Sequence, residues 1–235
     1  MAFTYIFQRV EKKYLLTREQ YEFLVKAIEP YMAVDKYGET CIRNIYFDNT
    51  DDELIETSLR KPAYKEKLRL RSYGTPDSDS TVFFEIKKKY KGIVYKRRVS
   101  MTLDEAYTYI DTGRLPSHLE GNIPVEIDYM MKRYRLSPKA FISYNRVAWA
   151  GKDDPDLRIT FDRDITSRYD DVRLESEAEG HKILPEDAVL MEIKIPGAMP
   201  LWLAHALSEK RIFPHSFSKF GTAHVQQKIK LASGF

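Results

Sequence analysis

A single cysteine, Cys41, stands in this chain of 235 residues. That excludes an intramolecular disulfide and the usual thiolate zinc sites, which need several cysteines at set spacings. A reducing compartment is the simpler setting. No run approaches the roughly 18 apolar residues that a membrane span requires, and Met1-Ala2-Phe3-Thr4-Tyr5 has no basic segment followed by an apolar one. The expectation is a soluble, cytoplasmic protein. The histidines, His118, His181, His205, His215 and His224, show no metal spacing, and no nucleophile elbow, Walker loop or dinucleotide fingerprint is present. With no internal repeat, low-complexity tract or dividing linker, residues 1–235 are expected to form a single domain.

What the chain does have is apolar and aromatic material: 43% hydrophobic residues, with 16 tyrosines and 12 phenylalanines. That is enough for a sizeable core and it favours sheet. Alternation predicts strands over residues 3–16, 41–48, 64–73, 81–90, 93–100, 139–149, 156–165 and 188–195. Capping boxes at Thr17/Gln20 and Thr102/Glu105 open helices over 18–31 and 102–112. Further helices are expected at about 51–60, 123–135, 199–211 and from 221 onward, with 170–187 mobile or irregular. Strand follows strand without regular βαβ alternation. The expected class is therefore α+β, mainly antiparallel, with helices packed outside a sheet or closed barrel.

The most informative stretch is residues 64–100. Lys67-Leu68-Arg69-Leu70-Arg71 and Glu85-Ile86-Lys87-Lys88-Lys89 both alternate, so Lys67, Arg69 and Arg71 share one strand face, as do Glu85, Lys87 and Lys89. Their apolar neighbours take the other face. A wet surface is the ordinary reading of such a pattern, since antiparallel sheets usually solvate one side. The pattern recurs, however. Collecting the polar face of each expected strand gives Arg9, Glu11, Lys13, Lys67, Arg69, Arg71, Glu85, Lys87, Lys89, Lys96, Arg98, Arg146, Glu192 and Lys194, to which Lys219 is added. Against a whole-chain charge of only +3, the cations are concentrated on these faces.

Closing the sheet with these faces inward would make a basic cavity. A unit-charge pair at about 4 Å contributes roughly 4 kcal/mol at an effective dielectric near 20, against about 1 in water. An empty cavity would repel itself and a polyanion would relieve it. Arginine suits bidentate phosphate contacts and lysine supplies point charges. Nucleic-acid surfaces interleave stacking aromatics with cations, whereas Leu68, Leu70 and Ile86 read as packing residues; a phosphate chain without bases fits better than RNA. Glu192 facing phosphates needs either a bridging divalent cation or a salt bridge to a neighbouring strand. Glu11 and Glu85 carry the same two readings. Trp149 and Trp202 read as core or rim aromatics, and His205 and His224 as structural residues on helices.

Taken together, Lys13-Tyr14, Ile45-Tyr46-Phe47-Asp48-Asn49, Leu68-Arg69-Leu70-Arg71, Phe84-Glu85-Ile86-Lys87, Tyr144-Asn145-Arg146, Phe161-Asp162, Leu190-Met191-Glu192-Ile193-Lys194 and Phe217-Ser218-Lys219-Phe220-Gly221 resemble the catalytic domain of the vacuolar transporter chaperone (VTC) family. That family belongs to the triphosphate tunnel metalloenzymes, or CYTH superfamily. The resemblance implies a closed antiparallel β tunnel of about eight strands. It also implies a polyphosphate polymerase that moves the γ-phosphoryl group of ATP onto a growing inorganic polyphosphate chain with a divalent metal, Mn2+ or Mg2+. The partners implied are ATP and polyphosphate, with no nucleic acid; a membrane-protein partner would lie outside these residues.

By position, the resemblance makes Lys13, Arg69, Arg71, Lys87 and Arg146 the phosphate-binding wall, with Lys96 and Arg98 as additions; Arg9, Lys67, Lys89 and Lys194, on the same polar strand faces, are counted with it. Arg146, Ser218 and Lys219 become the catalytic group and Glu192 the metal ligand. Two departures stand out. The superfamily's opening Glu-x-Glu-x-Lys is Arg9-x-Glu11-x-Lys13 here, closer to the polymerase branch than to the hydrolases. Ser216 occupies a place where that branch can carry a basic residue. A tunnel triphosphatase and a noncatalytic polyphosphate-binding module remain the alternatives.

Overall fold

The computed structural model describes residues 10–91 and 93–233. In chain order the elements are β1 (Val10–Leu16), α1 (Arg18–Ile28), β2 (Met32–Asp48), α2 (Glu53–Leu59), β3 (Tyr64–Tyr73), β4 (Thr81–Tyr90), β5 (Ile93–Thr102), α3 (Leu103–Thr112), α4 (Asn122–Tyr134), β6 (Ser137–Gly151), β7 (Arg158–Arg168), β8 (His181–Lys182), β9 (Val189–Ile195), α5 (Leu201–Glu209) and α6 (Lys219–Ser233). Arg9 and the part of the first expected strand before Val10 lie outside the described residues.

Local chemistry sets several boundaries. The Thr17 hydroxyl accepts from the Gln20 amide at 3.2 Å and the Gln20 side chain accepts from the Thr17 amide at 3.0 Å; Thr102 and Glu105 repeat the exchange at 3.2 and 3.0 Å. These reciprocal bonds satisfy amides that a helix start leaves without partners. At the far end of α3, Gly113 takes a φ of +68°, the left-handed conformation that stops a helix cheaply only when the residue lacks a Cβ.

Two compact units emerge. The first holds the chain up to Thr40 with Tyr144–Ile165 and Leu184–Ser218; the second holds Cys41–Ser143, Thr166–Ile183 and the chain from Lys219 onward. In the first, strands run in the order β1-β9-β7-β6. Tyr14, Leu16, Ile159, Phe161, Met191 and Ile193 of this sheet bury against Leu24 and Ile28 of α1 and Leu203 and Leu207 of α5. In the second, the order is β2-β3-β4-β5. There Leu68, Leu70, Val82, Phe84 and Ile86 pack beneath Ala106 and Tyr109 of α3 and Ile127 and Met130 of α4, with the Phe84 and Tyr109 rings edge to face at 5.6 Å. Burying each such aliphatic or aromatic side chain contributes about 1.5–3 kcal/mol. In both units these helices take the apolar face of the sheet and leave the opposite face to polar side chains.

The α+β, mainly antiparallel class holds, with nine strands among the described residues. The closed barrel does not: β1 and β5 end the hydrogen-bonded path, each pairing on one side only among the described residues. A closed barrel needs every strand paired on both sides. Strand β2 begins at Met32 rather than near 41 because its first half, exposed and polar, carries no alternation; ion pairs from Asp35 to Arg158 at 3.1 Å and from Glu39 to Arg163 at 2.7 Å hold it instead. Residues 170–187 are irregular apart from β8, which pairs with β7. The segment is also pinned: Leu174 is fully buried, its carbonyl accepts from Arg43 at 3.0 Å and its amide donates to the Tyr107 hydroxyl at 2.9 Å.

Candidate functional site

In the second unit, strand register decides which cations meet. Tyr46 faces Arg69, Arg69 faces Glu85 and Glu85 faces Arg98. Lys67, Lys87 and Lys96 form the adjoining row, and Lys89 continues β4 beyond it. Arg71 lies beside Asn44. All these side chains share the face opposite the α3 and α4 core, because Leu68, Leu70, Phe84 and Ile86 alternate with them and are buried.

Glu85 is the centre of this face. It is only 1% exposed, and three cations converge on it: Arg69 NH2 at 2.6 Å, Lys96 Nζ at 2.5 Å and Arg71 NH1 at 3.8 Å. Burial alone would push its carboxyl up, but Arg69, Arg71 and Lys96 override that and hold it well below the usual carboxylate range. Glu85 is thus the internal counterion of the wall, the salt-bridge reading of the sequence. Arg71 Nε also donates to Asn44 Oδ1 at 2.9 Å, while Asn44 Nδ2 donates to the Ile142 carbonyl at 3.0 Å. Arg98 lies over the Phe83 ring at 4.7 Å.

Lys219 opens α6, and the next residue ties that helix to the same face. The Phe220 ring stacks on Tyr46 at 4.8 Å, and the Tyr46 hydroxyl accepts from Arg69 NH1 at 3.2 Å. His224, buried at 3% exposure, meets Glu56 of α2 at 2.9 Å. Both contacts fix the start of α6.

The first unit presents its own polar face. Glu192 on β9 lies between Lys13 on β1 and Thr160 on β7, and Lys194 lies between Glu11 and Arg158. The Glu192 carboxylate is 3.0 Å from Lys194 Nζ and 3.8 Å from Lys13 Nζ. Lys13 stands equally far, 3.8 Å, from Glu11. Its ammonium also donates to the Phe217 carbonyl at 3.1 Å, and its own carbonyl accepts from the His215 amide at 2.7 Å. The segment ending in Ser218 is thereby strapped along β1.

Arg146 on β6 makes a bidentate pair with Asp162 on β7, Nε to Oδ1 at 2.6 Å and NH2 to Oδ2 at 2.8 Å. Burial opposes its charge, but Tyr144, Asp162 and Glu192 keep the guanidinium protonated well above its ordinary range. The pair uses two of the five N–H donors of an arginine and fixes the plane in which the others point.

The donor set suits a divalent cation held in one way and not another. Among the described residues no group of three or more His, Cys, Asp or Glu could cage an ion. Magnesium-type sites, however, commonly use one or two carboxylates with substrate phosphates and retained water. Glu192, partly exposed on a polar face, fits that mode.

Of the sequence-derived candidates, Lys67, Arg69, Arg71, Lys87, Lys89, Lys96, Arg98 and Lys219 fall in the second unit, and Lys13, Arg146, Glu192, Lys194 and Ser218 in the first; Arg9 lies outside the described residues. The alternation missed Asn44 and Tyr46, whose run from Ile42 to Asp48 is buried throughout and so shows no face. It also gave Asp162 no role, although Asp162 shares a strand parity with Thr160 and Arg158.

Solved structures share this fold. A protein from Bacillus halodurans, provisionally assigned as an adenylate cyclase, aligns with 89% of this chain and 93% of its own at a TM-score of 0.55 and 15% identity. A similarly assigned protein from Vibrio parahaemolyticus aligns with 92% of this chain and 97% of its own at a TM-score of 0.51 and 12% identity. At such identities the likeness is one of fold. The family model described as "VTC domain" matches residues 8–226, nearly the whole length. The chain belongs to the VTC domain family, as its motifs led one to expect.

Proposed function

We propose that the protein is a polyphosphate polymerase that transfers the γ-phosphoryl group of ATP to the end of an inorganic polyphosphate chain. The observation that carries the reading is the Glu85-centred wall: Arg69, Arg71 and Lys96 are held by one buried carboxylate beside the row of Lys67 and Lys87. Such a surface is fixed before any ligand arrives, and phosphoryl transfer asks mainly for positioning and charge neutralisation. The aromatics set among these cations do not offer themselves to bases, since Tyr46 is covered by Phe220 and Phe83 by Arg98; the half-exposed Tyr73 stands at the end of β3, past Arg71. That favours a bare phosphate chain over nucleic acid.

In this reading a terminal phosphate oxygen of the chain attacks the γ-phosphorus of ATP, a new P–O–P bond forms, and the bond to the β-phosphate oxygen breaks with ADP leaving. Lys67, Arg69, Arg71, Lys87, Lys89, Lys96 and Arg98 hold the chain, joined by Lys13, Lys194 and Arg9. Arg146, its plane set by Asp162, and Lys219, at the start of α6, neutralise charge on the transferred group, and Ser218 beside it donates a hydrogen bond. Glu192 would hold a divalent ion, Mn2+ or Mg2+, which supplies charge neutralisation between phosphates. The family match spans both units, and the reading treats them as one tunnel domain handling one phosphate chain. No helix among the described residues is long and apolar enough to cross a membrane, and a cytoplasmic setting, where ATP is abundant, belongs to this reading.

Incubation with ATP and Mn2+, followed by 31P NMR, tests it. Internal polyphosphate resonances with matching ADP support the polymerase. Orthophosphate alone would transfer the reading to a tunnel triphosphatase, and unchanged ATP with tight polyphosphate binding would make it a binding module.

A further inference from the structure

Thr160 stands out on the first unit's polar face. It is 6% exposed, and its Oγ1 has no hydrogen-bond partner among the described residues. Buried hydroxyls are nearly always bonded, so one that is not calls for a missing partner. Its position is informative. Thr160 is the direct cross-strand partner of Glu192, and side chains so paired stand on the same face about 4.5–5.5 Å apart at Cβ. The Glu192 carboxylate nevertheless engages Lys194 at 3.0 Å and Lys13 at 3.8 Å. Asp162, two residues along β7, is committed to Arg146 through both oxygens. The polar face thus holds a carboxylate with lysine partners next to a neutral oxygen that no donor among the described residues satisfies.

We propose that the Thr160 hydroxyl is a second protein oxygen, beside the Glu192 carboxylate, for a divalent cation bound together with a phosphate chain. The proposal rests on the reading of Glu192 given above and extends it to a residue with no charge. Hard divalent ions accept hydroxyl, carboxylate, phosphate and water oxygens together. In phosphate-binding loops of other folds a serine or threonine hydroxyl serves a magnesium ion in this way. A neutral ligand suits this face, because another carboxylate would repel the phosphates.

The test compares the wild type with Thr160→Val, Thr160→Ser and Glu192→Gln. Valine keeps the β-branched shape and replaces only the hydroxyl, by a methyl group. Mn2+ uptake is followed by EPR with the slowly cleaved β,γ-imido analogue of ATP present, and analogue affinity is measured separately by calorimetry in EDTA. The expected result is a loss of about 10-fold or more in Mn2+ affinity for Thr160→Val, recovery in Thr160→Ser, unchanged analogue binding in EDTA, and a melting temperature no lower than that of the wild type. Wild-type Mn2+ affinity in Thr160→Val overturns the proposal. So does an equal loss in EDTA, which would make the hydroxyl a phosphate donor. A wild type that takes up no Mn2+, or a Glu192→Gln variant that takes it up normally, overturns instead the metal reading of Glu192 on which the proposal rests.

Discussion

Arg69 grips a single carboxylate oxygen of Glu85 from two nitrogens, Nε at 2.8 Å and NH2 at 2.6 Å. The other oxygen is left to Lys96 at 2.5 Å. One buried anion therefore organises cations from two neighbouring strands, and the wall is rigid because its charges are already paired. A polyanion arriving at this face competes for donors that are oriented in advance, with little reorganisation.

Replacing that anion should separate stability from binding. Glu85→Gln leaves Arg69, Arg71 and Lys96 without their counterion and should cost about 3 kcal/mol. That is the low end for breaking a buried pair, since Arg69 and Lys96 keep access to water. Tripolyphosphate should raise the melting temperature of the variant more than that of the wild type. Because the folded carboxyl lies well below its ordinary 4.5, its contribution is complete above that value and is lost progressively as the pH falls toward the folded one. The stability gap between the two proteins should accordingly narrow below about pH 4.5, as denaturant unfolding at several pH values would show.

Lys96 gives a second pH signature. Withdrawal from water, reinforced by Arg69 and Arg71 and opposed by Glu85, brings its ammonium down to about 8. Tripolyphosphate affinity should fall as the pH rises through about 8, with protons taken up on binding there, because a bound anion restores the charge. The sign for the unliganded fold is opposite: the unfolded chain binds the proton more tightly, so Lys96 adds stability as the pH rises from about 8 toward 10.5. Lys96→Arg should flatten the binding profile, and calorimetry in buffers of different ionisation enthalpy would detect the proton uptake.

Arg146→Lys should remove the bidentate grip on Asp162, which is fully buried, while keeping the charge. A lysine offers no planar fork. Turnover should drop about 100-fold, with a smaller change in KM for ATP. Arg146→Ala, which takes the guanidinium from a buried carboxylate, should in addition lose about 3 kcal/mol of stability. Equal kinetics in Arg146→Lys and the wild type would show that geometry at this position is dispensable.

Lys219 and Phe220 should part company although they are adjacent. Phe220, 2% exposed and stacked on Tyr46, should lose about 3–5 kcal/mol when changed to alanine. Lys219→Ala, at a half-buried position, should cost less than Phe220→Ala, about 0.5–3 kcal/mol, and abolish most turnover. Parallel thermal scans and ADP-release assays would distinguish these outcomes.

Much of this was legible in the chain. Strict alternation at Lys67–Arg71 and Glu85–Lys89 fixed which side chains share a face, because in a strand parity is geometry. The Thr17 and Thr102 caps marked their helices through hydrogen bonds that span only three residues. The basic character of the wall needed no more than that parity. Other features depend on pairs distant in sequence. Parity could not say that Glu85 would take Arg69, Arg71 and Lys96 together, since that follows from the register of β3, β4 and β5. Nor could it single out Asn44 and Tyr46 from a run buried on both faces, bind Arg146 to Asp162 across β6 and β7, or leave the Thr160 hydroxyl, opposite Glu192, without a partner among the described residues. Strand pairing, not composition, decides which charges neutralise one another and which oxygen is left over, because ion pairs and hydrogen bonds act over a few ångströms that only the tertiary structure sets.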